Sequence, residues 1–263
     1  MATIGIFDSG SGGLSVYREI VKLLPDQKYI YYSDNANCPY GEKGQEFIQK
    51  RSHEITDFLL GKGADLIVIA CNTATGAAIA SLRKDYPNRF IGMEPAVKPA
   101  ALATQSGVIG VLATAGTLSG AKYLINKGRY EDNIKIVESI GKGWVELVES
   151  GILTGPEAEK TVQASLQPLL DAGADNIVLG CTHYPFLRET ISKIAGPKVR
   201  IIDPAPAVAR HLVHVMAEEG FLSEEEARII LDRKRNVGIP KNPDIQLISS
   251  GDIQALERIF HLI

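Results

Sequence analysis

The chain has 263 residues, a hydrophobic content of 45% and a formal net charge of −3 at pH 7. At that length single cores stop growing and chains split, so two domains of ordinary size are expected. The charge balance has no global basic excess, which argues against nucleic-acid binding, and no apolar run reaches the length of a membrane span. The amino terminus enters the apolar segment Ile4-Gly5-Ile6-Phe7 without a charged leader, so no signal peptide is expected. Three cysteines make no disulfide framework, and a reducing cytoplasm is the expected setting.

In chain order, strands are predicted at 3–7, 28–33, 65–70, 89–93, 107–112, 134–138, 176–180, 199–202 and 245–249. Helices are predicted around Tyr17, Ile20, Val21 and Leu24, and over 45–60, 75–84, 97–104, 157–171, 186–195, 206–219 and 223–234. Arg233-Lys234-Arg235 reads as a solvated helix end. The alternation predicts an α/β protein with mostly parallel sheets.

Two stretches are near-copies: Gly63-Ala64-Asp65-Leu66-Ile67-Val68-Ile69-Ala70-Cys71-Asn72-Thr73 and Gly173-Ala174-Asp175-Asn176-Ile177-Val178-Leu179-Gly180-Cys181-Thr182-His183. Ile4-Gly5-Ile6-Phe7 is echoed by Ile109-Gly110-Val111-Leu112, and Ile91 to Val97 by Ile201 to Val208. Three matches in one order predict two pseudo-symmetric, three-layer halves. The expected division is 1–96 plus 207–263 for the first domain and 97–206 for the second, with the final segment returning to the first. Proline at Pro95, Pro99 and Asp203-Pro204-Ala205-Pro206 marks the crossovers, because it resists helix continuation.

Open α/β sheets bind ligands beyond the carboxyl ends of their strands. Asp8, Asp34, Cys71, Glu94, Thr114, Cys181 and Asp203 all fall at or just after such ends, which predicts a site in the cleft between the halves. Asp8-Ser9-Gly10-Ser11-Gly12-Gly13-Leu14-Ser15 is a glycine-rich turn whose backbone N–H groups suit an anion such as a carboxylate. It lacks the Gly-Lys-Ser/Thr of a phosphate loop and the third glycine of the dinucleotide fingerprint. Cys71 ends a strand and opens a helix, a setting that lowers a thiol pKa and primes a base. Cys181 has the same setting, with His183 two residues on.

A buried hydrophobe is the bland reading of either cysteine alone; the pair favours chemistry. Two thiols across one cleft suit removal of a proton from one face of a carbon and its return to the other. A structural zinc site is disfavoured because Cys-x₂₋₄-Cys spacing is absent, and dithiol redox exchange because Cys-x-x-Cys is absent. Cys38 reads as incidental, in a loop by composition; Tyr40, Gly41, Asn72 and Thr73 are candidates to hold a small polar ligand. His53, His211, His214 and His261 read as surface or packing residues, and Trp144 as core or as a dimer contact. A non-catalytic amino-acid binder and a thiol redox protein remain the rival classes from the residues alone.

The segments Gly5-Ile6-Phe7-Asp8-Ser9-Gly10, Pro39-Tyr40-Gly41, Ala70-Cys71-Asn72-Thr73-Ala74, Glu94-Pro95, Gly116-Thr117 and Leu179-Gly180-Cys181-Thr182-His183-Tyr184-Pro185 resemble the glutamate racemases of the aspartate/glutamate racemase superfamily. The likeness runs over essentially the whole chain. It implies two α/β domains with the substrate between them, and interconversion of L- and D-glutamate without pyridoxal phosphate, metal or nucleotide. Carried over by residue, Cys71 and Cys181 would be the two acid/base groups. Asp8 would assist Cys71 and His183 would assist Cys181; Glu149 is the better match to the family's assisting acid, with Glu146 as the other candidate. Asp8, Ser9, Tyr40, Gly41, Asn72, Thr73, Thr182 and His183 would hold the substrate. Aspartate racemisation is the near alternative. The resemblance further implies supply of D-glutamate to peptidoglycan synthesis, and a homodimer is expected. Two positions depart from the family: Glu146 stands where a proline is usual, and Ala96 where glycine is usual.

Overall fold

Near-continuous apolar runs along the central strands bury both faces of two parallel sheets. The computed structural model describes residues 1–232 and 243–263. Arg233-Lys234-Arg235 and the end of the helix predicted over 223–234 lie outside the described residues.

Among the described residues nine strands run in chain order: β1 (Thr3–Asp8), β2 (Lys28–Ser33), β3 (Leu66–Ile69), β4 (Arg89–Ile91), β5 (Val108–Ala113), β6 (Lys135–Ile140), β7 (Asn176–Gly180), β8 (Arg200–Ile202) and β9 (Ile245–Ser249). The helices are α1 (Leu14–Leu23), α2 (Gln45–Gly61), α3 (Asn72–Asp85), α4 (Val97–Ala103), α5 (Ala115–Leu118), α6 (Ala121–Gly128), α7 (Trp144–Glu149), α8 (Pro156–Asp171), α9 (Arg188–Ala195), α10 (Ala205–Glu218), α11 (Glu224–Asp232) and α12 (Ile253–Phe260).

One sheet has the order β4-β3-β1-β2-β9 and the other β6-β5-β7-β8, and every pairing is parallel. Read backwards, the second is β8-β7-β5-β6, the order of the first without β9. The repeated sequence is therefore a repeated topology, with β3 and β7 as equivalent strands. β9 pairs with β2 from Tyr29 opposite Ile245 to Ser33 opposite Ser249, so the last part of the chain does extend the first sheet.

Period two sets the layers. Ile4, Ile6, Leu66 and Val68 face one core with α1 and α10, while Phe7, Ile67 and Ile69 face another with α2 and α3. In the second sheet Ile177 and Leu179 face one core and Val178 the opposite one. Each repeat opens on a glycine with positive φ, 87° at Gly63 and 84° at Gly173, which turns the chain out of a helix at no steric cost. The aspartates that follow act alike. Asp65 Oδ2 accepts the Thr3 N–H at 2.8 Å, and Asp175 Oδ2 accepts the Gln105 and Ser106 N–H groups at 2.6 and 2.9 Å. Each carboxylate clasps the backbone that leads into the neighbouring strand.

Three sequence features take a definite form in the structure. Pro99 and Pro206 lie inside the first turns of α4 and α10, where N–H groups have no helical partner, so they begin helices rather than interrupt them. Trp144 is a core residue and not a surface contact: it is fully buried, its ring centroid lies 4.7 Å from that of Tyr184, and its Nε1–H donates to the Thr161 carbonyl at 3.3 Å. Ala96 has φ −77° and ψ 53°, a conformation that does not demand the usual glycine.

Candidate active site

β1, β3, β5 and β7 are the central strands of the two sheets, and their carboxyl ends converge. A small cavity lies between them. Ser9, Tyr40, Gly41, Cys71, Asn72, Thr73, Cys181, Thr182 and His183 line it, together with Pro39, Thr114 and Val145. Of the eleven predicted residues only Asp8 and Glu149 are not on the wall. Each stands behind one that is. Val145 carried no sequence signal, although Thr114 is a strand-end residue like the others.

Cys71 is the N-cap of α3, and its Sγ accepts the Ala74 N–H at 3.5 Å. The Sγ also approaches Ser9 Oγ at 3.8 Å. Burial pushes this thiol well up, and the negative charge of Asp8 beside it pushes it further; the Ala74 N–H only partly offsets them. The expected lowering by a helix start is thus reversed, because a thiolate without water loses more than one N–H returns. Asp8 is itself fully buried. Its Oδ2 accepts the Gly13 N–H at 2.8 Å and the Thr182 hydroxyl at 3.4 Å. Burial raises its carboxyl above the usual range, against the opposing charge of His183 and the Gly13 N–H.

Across the cavity, His183 Nδ1 lies 3.7 Å from Cys181 Sγ, and His183 Nε2 lies 2.6 Å from Glu149 Oε1. Burial pulls the imidazole pKa down, but Cys181, Cys38 and Glu149 outweigh it and hold it well above the ordinary histidine range. Glu149 stays below the usual range: burial raises it, yet His183 and Ser11 together lower it more. Glu149 also accepts the Ser11 N–H at 2.6 Å on Oε1 and the Ser11 hydroxyl at 3.0 Å on Oε2. Glu146, the other candidate, is exposed and makes none of these contacts.

The glycine-rich turn does hold carboxylates, but they are the protein's own, Asp8 and Glu149. Its glycines answer a need for room, since none of Gly10, Gly12 or Gly13 has positive φ. A Cβ on Gly12 would sit 2.3 Å from His183 Nδ1, and one on Gly10 would sit 2.3 Å from Glu149 Oε1.

Cys38 is not incidental. Its sulfur lies within 4.8 Å of ligand atoms of both Glu149 and His183. Its loop is tied down by Asp34, whose buried carboxylate accepts from Tyr40 Oη at 2.6 Å, Arg51 Nη2 at 2.7 Å and Arg51 Nε at 3.0 Å. Burial acts to raise Asp34, but Arg51, Tyr40 and Asn37 win and keep it low. Asn72 has the opposite condition: among the described residues its side-chain Oδ1 and Nδ2 are both buried with no partner. A buried amide with no hydrogen bonds costs free energy unless a ligand completes it. On the far side of the cavity, Thr73 Oγ1 lies 2.9 Å from Thr114 Oγ1 and 3.1 Å from Thr117 Oγ1, joining the two halves.

Paired parallel sheets of equal order, with a buried thiol after the same strand of each, define a duplicated α/β architecture with a two-thiol cavity. The chain belongs to the Asp/Glu/Hydantoin racemase family, whose model matches residues 4–212. It is 43% identical over 263 residues to a glutamate racemase of Ectopseudomonas mendocina, covering 100% of this chain and 94% of that one. Its structure is similar to that of Escherichia coli glutamate racemase in complex with L-glutamate and the activator UDP-MurNAc-Ala, with TM-score 0.81, 31% identity, and 99% and 93% of the two chains covered. It is also similar to glutamate racemase from Francisella tularensis in complex with D-glutamate, with TM-score 0.79, 27% identity, and 99% and 92% covered. No helix among the described residues is long and apolar enough to cross a membrane.

Proposed function

We propose that this chain interconverts L- and D-glutamate by two-base proton transfer at the α-carbon, with Cys71 and Cys181 on opposite faces and no cofactor in the reaction. The observation that carries the proposal is that both thiols line one small cavity, Cys71 with the Asp8 carboxyl beside it and Cys181 with the His183 imidazole. The relatives above, named glutamate racemases and solved with each enantiomer, support glutamate as substrate.

In each direction one cysteine takes the α-proton as thiolate while the other delivers a proton as thiol. Asp8, held above the usual carboxyl range, is suited to exchange a proton with the buried thiol of Cys71. His183, held by Glu149, is suited to the same work for Cys181. The α-proton of an amino acid is weakly acidic, so the developing carbanion needs fixed donors in a site that excludes water. Asn72, with its amide free, and the hydroxyls of Thr73 and Thr182 fill that role beside the α-carboxylate. Ser9, Tyr40 and Gly41 complete the enclosure.

Residues 1–96 with 207–263, and 97–206, are the two domains in this scheme, and the cleft between them is the substrate's entry. The D-glutamate formed supplies peptidoglycan synthesis in the cytoplasm, and the working form is a homodimer, checked by sedimentation. Chiral chromatography after incubation with L-glutamate tests the activity. D-glutamate should accumulate with wild-type protein and be absent with Cys71→Ala or Cys181→Ala, each folded by circular dichroism. Normal turnover in either variant overturns the two-base assignment.

A further inference from the structure

Cys38, Glu149 and His183 come from three distant segments: the loop after β2, the end of α7 and the turn after β7. Their ligand atoms nevertheless lie within 4.8 Å of one another. The backbone of Gly10 faces the same spot. A Cβ there would stand 2.3 Å from Glu149 Oε1, 2.9 Å from Cys38 Sγ and 3.1 Å from His183 Nε2, so all three atoms crowd against the Gly10 backbone, which tolerates no side chain. One thiol, one imidazole and one carboxylate within 4.8 Å of one another form a donor set of definite preference. Sulfur and nitrogen select borderline-soft transition cations such as Zn²⁺, and disfavour Ca²⁺ and Mg²⁺, which take oxygen shells.

We propose that Cys38, Glu149 and His183 bind a divalent transition cation of the Zn²⁺ class, and that its occupancy switches the enzyme off by taking His183 away from Cys181. Three protein ligands leave a fourth position for water, the pattern of an open tetrahedral site. Entry is feasible because Cys38 and Glu149 are partly exposed while His183 is buried behind them. The ion takes the place of the proton between His183 Nε2 and Glu149 Oε1, now 2.6 Å apart. Two ligands with bonds of about 2.0–2.2 Å on a tetrahedral ion stand roughly 3.3 Å apart, so the pair must open by roughly 0.7 Å. The Cys38 thiol proton, and any proton on Nε2, leave to solvent. Once Nε2 is bound to the ion, Nδ1 keeps its hydrogen, and the ring no longer takes up a proton from Cys181. Spacing rules miss such a site because its ligands are far apart in sequence. The inhibitory consequence rests on the proposed racemase reading; binding does not.

Co²⁺ is the probe for binding, added without oxygen and with a thiol-free reductant. Wild-type protein should develop a sulfur-to-cobalt charge-transfer band. The band should persist in the Cys71→Ser/Cys181→Ser double variant and vanish in Cys38→Ser, with Cys38→Ala used should the serine variant not fold. Zn²⁺ should inhibit wild-type racemisation reversibly, with recovery on adding a chelator. Measured against its own metal-free rate, Cys38→Ser should need at least about tenfold more Zn²⁺ for half-inhibition than wild type. No band, a band that survives Cys38→Ser, or equal Zn²⁺ midpoints would overturn the proposal. A protein that never racemises glutamate yet shows the Cys38-dependent band retains the site and loses only the function assigned to it.

Discussion

Gly12→Ala should disable catalysis by pushing one ring. The added Cβ would meet His183 Nδ1 at 2.3 Å, Cγ at 2.6 Å and Cε1 at 2.7 Å, where ordinary contact begins at 3.4 Å. The ring must therefore retreat by about 1 Å, a displacement that costs roughly 100-fold in rate for a positioned catalytic group. It has nowhere neutral to go, since Nε2 is fixed to Glu149 at 2.6 Å and Nδ1 faces Cys181 at 3.7 Å. Overpacking of this kind costs about 1–3 kcal/mol, and at this chain length each kcal/mol moves Tm by about 2–4 °C. The assay is kcat/KM by circular dichroism from each enantiomer, with Tm measured beside it. Both directions should fall by the same factor, because the enantiomers are equal in free energy. Gly76→Ala is the contrast: Gly76 is exposed inside α3 with nothing within 4 Å of an added Cβ, so stability should rise by about 0.5–1 kcal/mol with activity unchanged. A folded Gly12→Ala protein within threefold of wild-type activity would refute the role given to His183.

Glu149→Gln removes a charge-assisted bond worth about 1.5–3 kcal/mol. Glu149 is lowered in the folded state, so its stabilisation is present above about pH 4.5 and is lost as pH falls. His183 is raised, so its stabilisation is complete below about pH 6.5 and is lost as pH rises through the higher folded value. The Tm gap between wild type and variant should therefore be widest between those limits; a gap independent of pH contradicts the pairing. Asp34→Asn leaves Arg51 short of a buried partner and should lower stability by about 3 kcal/mol while raising KM, through release of the Tyr40 loop. An unchanged KM would show that the loop is held by other contacts. Cys71→Ala and Cys181→Ala should each keep solvent exchange of the α-proton for one enantiomer only, and for opposite ones, as NMR in D₂O would read.

Much of the scaffold was legible because buried parallel strands are written as continuous apolar runs, and all nine predicted strands coincide with observed ones to within about two residues at either end. α5, α6, α7 and α12, each of at most eight residues, are missing from the predicted elements, whereas the equally short α4 and α9 are among them. The duplicated Cys71 and Cys181 segments were visible as sequence, and their equivalence as strand ends follows from the matching strand orders. The partners of Cys38 lie more than a hundred residues away, and loop composition says nothing of them. The turn at Gly10 and Gly12 was read as an anion cradle; that its glycines make room for His183 and Glu149 is a fact of packing between halves. The direction of the Cys71 shift was misjudged for the same reason, since local sequence shows the helix start but not the depth of burial.

Incubation of purified protein with L-glutamate in D₂O, with no cofactor added, tests the central claim most directly when followed by chiral separation and mass spectrometry. D-glutamate carrying deuterium at the α-carbon is the expected product, because the proton removed at one thiol is replaced from solvent at the other. D-glutamate retaining the original hydrogen, or no conversion and no exchange, would contradict a two-base transfer between Cys71 and Cys181.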